Sequence, residues 1–401
     1  MSVRPLRSVL LLCWRDTGHP QGGGSEMYLQ RIGEQLAASG VRVTLRTARY
    51  AGAARREVVD GVHVSRGGGR YSVYVWALLV MALARLGLGP LRGVRPDVVV
   101  DTQNGVPFLA RLVYGRRAAV LVHHCHRDQW PVAGPVLGRL GWFVESVVSP
   151  RVHRRSQYLT VSLPSSRDLT DLGVDGSRIA VVRNGLDEAP AATLTLPRSV
   201  APRIAVLSRL VPHKQIEDAL DAVAALRPHI PDLHLDVIGG GWWQQKLFDH
   251  ARLSGISDAV TFHGHVDDIT KHEVLQRSWV NVLPSRKEGW GLAVTEAGQH
   301  AVPTIGYRSS GGLTDSIVDG VTGLLVDDRD ELVEALRQLL GDHVLREQLG
   351  AKAQARSFEF SWRQSASAMH EVFDAMRSSR YVSGVVSPLP ATDHGAVALF
   401  G

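Results

Sequence analysis

The sequence predicts an α/β protein with two domains, each built on a parallel sheet that is covered by helices on both faces. At 401 residues the chain is longer than a typical single domain of roughly 100–200 residues. Short apolar segments alternate with helical periodicities through most of it, as expected of successive βαβ units. This alternation stops at residues 188–202 and restarts at 203. We therefore expect two Rossmann-like, doubly wound domains facing a central cleft.

The first half begins with an apolar segment and then shows helical spacing at Leu29, Ile32 and Leu36. Residues 71–91 are strongly apolar, but Arg85 and two glycines interrupt them. A membrane span needs about 20 apolar residues, so this segment predicts a buried or interfacial helix. The predicted strands of this half are 7–13, 41–45, 97–101, 118–122 and 158–161.

The second half repeats the alternation after residues 188–202, a segment rich in Pro and Ala that predicts a linker. Residues 377–401 contain Gly, Pro and Ser without periodicity, which predicts a disordered tail. The predicted strands are 203–208, 233–238, 259–263, 279–283 and 302–306, and the predicted helices are 214–227, 291–300 and several within 329–376.

The charge of the chain is divided unevenly. The net charge is +6, but residues 1–187 carry +12 and the remainder carries −6. A basic half suggests an anionic partner, such as a lipid surface, a phosphorylated acceptor or a nucleic acid. An arginine-rich surface that is merely solvated explains the charge equally well. Nucleic acid is disfavoured, because no recognised nucleic-acid-binding motif accompanies the basic residues. The cysteines, Cys13 and Cys125, are too few for a disulfide framework.

A glycine-rich loop follows the first predicted strand. Ligands of doubly wound sheets bind outside the carboxyl ends of the strands, so such loops are candidate sites. Gly22, Gly23 and Gly24 precede Ser25 and Glu26, where a helix begins. The glycines allow the backbone to approach a ligand, and the helix N-terminus offers free N–H groups. A flexible turn with a serine cap is the alternative.

Three histidines follow strand 118–122, at His123, His124 and His126. Neighbouring strand residues point to opposite faces, so His123 and His124 do not readily share a metal ion, whereas His124 and His126 are spaced to do so. We prefer one histidine that donates to a substrate oxygen. A purely structural histidine is an equal alternative on these residues alone.

The second domain carries its charged residues in two loops. Arg209 and Lys214 flank the turn after its first strand, and two cations beside a helix N-terminus suit a diphosphate. After strand 279–283, Glu288 precedes a glycine-flanked tryptophan, and Glu296 lies within the following helix. Side chains lean toward a helix N-terminus, so both carboxylates can accept hydrogen bonds from hydroxyls in one cleft.

The Glu-x7-Glu spacing of Glu288 and Glu296 resembles the signature of retaining glycosyltransferases of family four, also called glycosyltransferase group one, which have the GT-B fold. The resemblance extends over about residues 5–375. Its further motifs are the early glycine-rich loop, Arg209 with Lys214, and the segments 182–187, 237–241, 260–264, 311–312, 320–326 and 360–362.

This resemblance implies a domain organisation. Residues 1–187 would form the acceptor-binding domain and 203–360 the nucleotide-sugar-binding domain, joined by the linker 188–202. A helix at 361–376 would cross back to the first domain. The enzyme would move a sugar from a nucleoside diphosphate sugar to a hydroxyl acceptor, which is a glycolipid, a polysaccharide precursor or a small metabolite.

The resemblance also implies roles for individual residues. His123 or His124, with His123 preferred, would join Arg209, Lys214 and Glu288 in catalysis. Acceptor contacts would come from Ser25, Glu26 and His126. The donor would be bound by Gly23, Gly24, Asn184, Arg209, Lys214, Gly264, Glu288, Gly289, Trp290, Gly291, Leu292 and Glu296.

No cofactor or metal is implied. The acidic pair Asp267-Asp268 resembles a metal site only superficially, and Asp327-Asp328 is better explained as a helix cap. A sugar-nucleotide epimerase on the same scaffold and a catalytically silent sugar- or lipid-binding protein are the alternative functions. We expect a cytoplasmic enzyme, with peripheral contact to the inner face of the cell membrane as a further expectation from its basic half.

Overall fold

The computed structural model of the chain describes residues 4–386. Its strands, numbered in chain order, are β1 (Ser8–Leu12), β2 (Arg42–Thr47), β3 (Arg56–Val59), β4 (Val62–Arg66), β5 (Val98–Thr102), β6 (Ala118–Leu121), β7 (Tyr158–Thr160), β8 (Ile179–Val181), β9 (Arg203–Leu207), β10 (His234–Ile238), β11 (Val260–Gly264), β12 (Val280–Leu283), β13 (Thr304–Tyr307), β14 (Gly323–Val326) and β15 (Gly384–Val385).

The helices, numbered in the same way, are α1 (Gly24–Ala38), α2 (Val73–Arg85), α3 (Arg111–Tyr114), α4 (Pro135–Phe143), α5 (Ser149–Val152), α6 (Leu163–Asp171), α7 (Ala191–Leu194), α8 (Ile216–Leu226), α9 (Gln244–Leu253), α10 (Asp268–Arg277), α11 (Leu292–Gln299), α12 (Leu313–Ser316), α13 (Arg329–Gly341), α14 (His343–Ser357) and α15 (Trp362–Arg377).

These elements form two sheets. The first has the strand order β15-β8-β7-β6-β5-β1-β2-β4-β3, and the second has the order β11-β10-β9-β12-β13-β14. All pairings are parallel except the β3–β4 hairpin. The prediction of two Rossmann-like, doubly wound domains is therefore confirmed.

Alternate residues of β1 show why the first sheet is buried on both faces. Val9 and Leu11 pack into a core with α1, whereas Leu10 and Leu12 pack into a second core with α2. Successive strand residues point to opposite faces, so a continuous apolar run is what a doubly covered strand requires. The apolar sequence of β1 thus fixes its place inside the sheet.

The apolar segment 71–91 forms the 13-residue helix α2. Val73, Ala77 and Val80 recur at helical spacing and are fully buried against the sheet. The opposite face leaves Val75 and Leu79 exposed. Across residues 4–386, none of the helices has the length and apolar character needed to cross a membrane.

The β3–β4 hairpin was not predicted, although the sequence contains a signal for it. Asp60 and Gly61 connect Val59 to Val62, which pair across the turn. Both turn residues have positive φ, at 47° and 82° respectively. An Asp-Gly pair between β-branched residues is a strong indicator of a two-residue hairpin turn.

The C-terminal part returns to the first domain. Helix α15 begins at a capping box formed by Ser361 and Gln364, and it packs against α1. The prediction that residues 377–401 are disordered is wrong for the described part, because β15 pairs with β8 and Gln157 exchanges hydrogen bonds with the main chain of Val382. Main-chain pairing with an edge strand needs no hydrophobic periodicity, so the sequence pattern did not predict β15. Residues 387–401 lie outside the described residues.

Candidate active site

The loops after β9 and β12 bring opposite charges together, because these two strands are neighbours in the second sheet. The Nζ of Lys214 lies 2.5 Å from Oε1 of Glu288, with both side chains largely buried. Arg209 lines the same cleft and remains accessible to solvent through it. The surrounding protein, and then the charge of Arg15 from the first domain, lower the pKa of Arg209. The charges of Glu26 and Glu288 act on Arg209 in the opposite direction, so this part of the cleft combines cations with carboxylates.

A tight turn follows Glu288 and leads into α11. The main chain of Glu288 is paired on both sides, because its N–H donates to Ser310 O at 2.9 Å and its carbonyl accepts from Gly312 at 3.1 Å. Gly291 has φ +90°, and a Cβ there would lie 2.6 Å from Leu313. Only glycine fits this position without strain. The turn leaves the first N–H groups of α11 free of a side-chain cap, so they can receive a ligand.

Glu296, one turn into α11, has a partner that the sequence analysis missed. The Nζ of Lys271 lies 2.8 Å from Oε1 of Glu296 and 2.9 Å from Oδ1 of Asp268. Burial alone would lower the pKa of Lys271, but the charges and hydrogen bonds of the two carboxylates outweigh it and raise that pKa. Lys271 lies 25 residues from Glu296 on another helix, so no local pattern signals the pair.

The acidic pairs act as helix caps in this structure. Asp267 caps α10 by accepting from the N–H of Thr270, and Asp328 caps α13 by accepting from that of Glu331. The cap predicted within Asp327-Asp328 is thus observed at Asp328. In the described range 4–386, no group of three or more His, Cys, Asp or Glu side chains is arranged to hold a metal ion.

In the first domain, Glu26 organises the glycine-rich loop. Its buried carboxylate accepts from Gly23 N at 2.9 Å, from Ser25 Oγ at 3.0 Å and from Arg15 Nε at 3.0 Å. Glu26 was predicted to contact the acceptor, but a 2% exposed carboxylate with three donors is better suited to holding the loop. Sequence alone could not show that its lone pairs are already used.

The glycine-rich loop lies directly against the second domain. A Cβ at Gly23 would lie 3.3 Å from Nε of Arg209, and one at Gly24 would lie 3.3 Å from Leu292. Of the glycines predicted to bind the donor, Gly23 therefore lies beside the guanidinium of Arg209, and Gly24 lies beside Leu292, the first residue of α11.

His123 lies at the base of the cleft, with 7% of its surface exposed. Its ring meets Tyr28 edge-on at 5.2 Å, and burial lowers its pKa to about 4, so the ring is neutral near pH 7. Among the described residues its buried Nε2 has no hydrogen-bond partner. Across the cleft, a Cβ at Gly289 would lie 2.6 Å from the carbonyl of His123, so the two domains touch at this residue.

His124 and His126 lie side by side, with ring centroids 4.5 Å apart. The His124 ring hydrogen-bonds Gln129 at 2.8 Å, and burial followed by the charge of His126 lowers its pKa well below the usual value. His126 is held by Glu145, a fully buried carboxylate 3.2 Å from its Nδ1. Glu145 lies on a short π-helical segment, a feature that sequence periodicity does not reveal.

Three other predicted donor-binding residues lie in different settings. The Trp290 ring is buried against Phe360 at 5.0 Å, so its side chain packs in the protein interior and only its main chain is available for the predicted donor contact. Asn184 is 5% exposed, and its Oδ1 has no hydrogen-bond partner within residues 4–386. Gly264 ends β11 and accepts from Gly239 N at 2.8 Å, which joins two strand-end loops.

Ion pairs connect the two domains beside the cleft. Arg183 donates to Oδ1 of Asp315 at 2.7 Å, and the N–H of Leu163 donates to its Oδ2 at 2.9 Å. Lys287 and Asp168 form a second pair at 2.6 Å. These two ion pairs hold the loops around Lys287 and Asp315 of the second domain against the first domain.

A two-domain α/β scaffold with this cleft belongs to a defined class of enzyme. Residues 22–190 match the family model described as Glycosyltransferase Family 4, and residues 197–356 match that described as Glycosyl transferases group 1. Together the matches cover most of the chain. The protein is a glycosyltransferase of family four, group 1, with the GT-B fold.

Individual relatives agree with this assignment. The chain is 29% identical to glycogen synthase of Mycobacterium tuberculosis over 382 residues, covering 88% of this chain and 92% of that protein. It is 28% identical to the GDP-mannose-dependent alpha-(1-6)-phosphatidylinositol monomannoside mannosyltransferase of Mycolicibacterium smegmatis, over 66% of this chain and 72% of that one.

Solved structures show the same fold at lower identity. Sucrose-phosphate synthase from Thermosynechococcus elongatus superposes with a TM-score of 0.78 at 20% identity, covering 93% of this chain and 100% of that one. Anabaena HepE, solved in complex with UDP-glucose, gives 0.70 at 17% identity, covering 92% and 99%.

Proposed function

We propose that the protein transfers a sugar from a nucleoside diphosphate sugar to a hydroxyl acceptor with retention of the anomeric configuration. The observation that carries this proposal is the Lys214–Glu288 contact of 2.5 Å beside Arg209, at the carboxyl edge of the second sheet. Ligands of doubly wound sheets bind at this edge. The names of relatives, which include a glycogen synthase and a mannosyltransferase, support sugar transfer.

The donor diphosphate would lie between Arg209 and Lys214. Two cations fixed in a partly desolvated cleft stabilise the charge that grows on a leaving diphosphate, and such preorganised stabilisation is often the largest catalytic contribution. The free N–H groups at the start of α11 would add to it. Glu296 would accept hydrogen bonds from the ribose hydroxyls, in part replacing its contact with Lys271.

The transferred sugar would be held by Glu288 and by the main chain of residues 289–291. From the first domain, the neutral His123 would donate to a sugar oxygen through its unpartnered Nε2. His124 is less suited to that contact, because its ring is already hydrogen-bonded to Gln129. Glu288 is ion-paired with Lys214, so we assign it to binding rather than to nucleophilic attack.

In the transfer step, the acceptor oxygen would form its bond to the anomeric carbon on the side from which the diphosphate leaves. The bond between that carbon and the diphosphate oxygen breaks, and the acceptor proton passes to a diphosphate oxygen. Ser25 and His126, at the cleft end of the first domain, would contact the acceptor. Glu26 would position Gly23 and Ser25 for it through its hydrogen bonds.

A thermal-shift panel with UDP-, GDP-, ADP- and TDP-glucose tests the donor site. A ligand at about 100 times its dissociation constant stabilises a protein by about 2.7 kcal/mol, so the correct donor should raise the melting temperature clearly. The Lys214→Ala variant should lose that shift. Lys246→Ala, an exposed lysine on α9, is the matched control. No shift with any nucleotide sugar would contradict the proposal.

The configuration of the product tests the mechanism. Proton NMR of the first product formed should show the same anomeric configuration as the donor. Interconversion of free nucleotide sugars without an acceptor would instead identify an epimerase. Binding of the donor without turnover on any hydroxyl acceptor would identify a silent sugar-binding protein.

A further inference from the structure

A second cavity lies in the first domain, outside the residues assigned to the donor. It has a volume of about 540 Å³ and lies where β2 and β4 end and α2 begins. It is therefore at the same carboxyl edge of the sheet as the glycine-rich loop. Its walls carry five arginines and a tryptophan, namely Arg46, Arg49, Arg55, Arg56, Arg66 and Trp76.

Arg46 lines this cavity with donors that lack partners. The residue is 1% exposed, and its Nη1 donates to the carbonyl of Ser65 at 3.2 Å and to its hydroxyl at 3.1 Å. Its Nε and Nη2 are buried without a hydrogen-bond partner among the described residues. Burial, and then the charge of Arg56, lowers the pKa of Arg46 to about 10. An unpaired buried guanidinium is costly, and an anion would satisfy it.

The charge of the cavity is not balanced by nearby acids. Arg66 is neutralised, because it pairs with Asp16 at 2.6 Å and with Glu57. Within residues 4–386, no ion pair is formed by the other arginines of the cavity, which are Arg46, Arg49, Arg55 and Arg56. These four arginines therefore give the cavity a positive charge without carboxylate partners. Such a site binds phosphate through charge-assisted hydrogen bonds.

The backbone is shaped to bring two donors together. A Cβ at Gly67 would collide with Nη2 of Arg46 and would lie 3.0 Å from Nε1 of Trp76. Glycine at this position lets both N–H groups approach the cavity. The wall is also connected to the active-site loop, because Arg66 binds Asp16, which in turn accepts from the N–H of Gly18.

We propose that this cavity binds the phosphate group of a phosphorylated acceptor. The volume falls in the range of roughly 300–1,000 Å³ that holds small organic ligands, so it can accommodate a phosphate ester rather than only the ion. Only the attribution of this phosphate to the acceptor rests on the proposed transferase function. The same chemistry is offered by a soluble phosphate ester and by a phospholipid headgroup.

The first experiment measures the binding of inorganic phosphate by calorimetry at constant ionic strength. We compare the wild type with Arg49→Gln/Arg56→Gln, whose side chains are exposed, and with Arg46→Gln. The control is Arg42→Gln, an exposed arginine at the other end of β2. Loss of a charge-assisted hydrogen bond should weaken phosphate binding roughly tenfold or more in the cavity variants, and the control should bind normally.

The Lys214→Ala variant separates this site from the donor site. If phosphate binds in the cavity, Lys214→Ala retains binding, and the double arginine variant retains the thermal shift caused by the nucleotide sugar. Phosphate binding that is lost in Lys214→Ala but kept in the cavity variants would place the ion in the donor cleft and overturn the inference. Absence of phosphate binding to the wild type would overturn it as well.

The source of the phosphate is distinguished with two probes. Glycerol 3-phosphate represents a soluble ester, and vesicles of phosphatidylcholine with phosphatidic acid represent a lipid surface. Vesicle binding that weakens as salt rises, and that is lost in Arg49→Gln/Arg56→Gln, assigns the phosphate to a lipid headgroup. Binding of glycerol 3-phosphate without vesicle binding assigns it to a soluble acceptor. If the wild type and Arg49→Gln/Arg56→Gln bind each probe equally well, the inference is overturned.

Discussion

The ammonium group of Lys214 lies 2.5 Å from the carboxylate of Glu288, joining two loops that are 74 residues apart in sequence. Both side chains are mostly buried, at 14% and 11% exposure. The Glu288 carboxylate fixes the position of the ammonium group, so this cation is oriented in advance for the diphosphate of the donor that we propose. Preorganisation of this kind avoids a reorganisation cost during the reaction.

Replacement of Lys214 by Ala should lower kcat by roughly 100- to 1,000-fold, the usual effect of removing one preorganised donor. Initial-rate measurements with saturating donor provide the test, and the melting temperature reports any loss of folding. Lys246→Ala should leave the rate unchanged. Activity of Lys214→Ala near the wild-type value would remove Lys214 from the mechanism.

Replacement of Glu296 by Gln should raise KM for the donor about tenfold with little change in kcat, since a ribose contact contributes equally to ground state and transition state. A donor with a 2′-deoxyribose should be disfavoured by the wild type but not by the variant. Glu347→Gln, on the exposed side of α14, is the control. Unaltered discrimination against the deoxy donor in Glu296→Gln would rule out the ribose role.

Stability should fall as the pH drops from 6.5 toward 4, in part because of His123. Burial lowers its folded pKa to about 4, against 6.5 for the unfolded chain, so the unfolded state binds a proton that the folded state does not. Above pH 6.5 His123 does not lower the free energy of unfolding. As the pH falls from 6.5 to 4, protonation of the unfolded state lowers that free energy by up to about 3 kcal/mol. Urea unfolding at several pH values should show a shallower decline for His123→Gln. If the free energy of unfolding of His123→Gln falls with pH as steeply as that of the wild type, this part of the pH dependence does not come from His123.

Replacement of Asp315 by Ala should destabilise the connection between the domains. Its carboxylate accepts from Arg183 and from the N–H of Leu163, and loss of buried hydrogen-bond partners costs about 1–3 kcal/mol. Scanning calorimetry should show a lower melting temperature and a broader or divided transition. Asp232→Ala, at an exposed position, should behave as the wild type. An unchanged single transition in Asp315→Ala would show that this contact does not couple the domains.

Much of the fold could be predicted, because buried strands and amphipathic helices leave local patterns. The apolar run at 7–13 indicated β1, and the spacing of Leu29 and Ile32 indicated α1. The β15 strand could not be predicted in this way, since it pairs through its main chain. The position of the candidate site was also predictable in outline, because the ends of parallel strands meet at one edge.

Other parts of the site depend on residues that are distant in sequence. Lys271 meets Glu296 from a different helix, and Glu145 meets His126 from a π-helical segment. The ring of Trp290 enters the interior rather than the cleft. Neither the partner of a charge nor the direction of a side chain follows from spacing along the chain.

By itself, the sequence determined two doubly wound domains and the chemical groups at their strand ends, because periodicity and loop composition are local properties. Only the tertiary structure decided which of those groups already have partners, as Glu26 does, and which buried donors lack them, as Arg46 does. Hydrogen-bond satisfaction depends on elements that meet through folding, and it is this property that distinguishes a residue holding a loop from one prepared for a ligand.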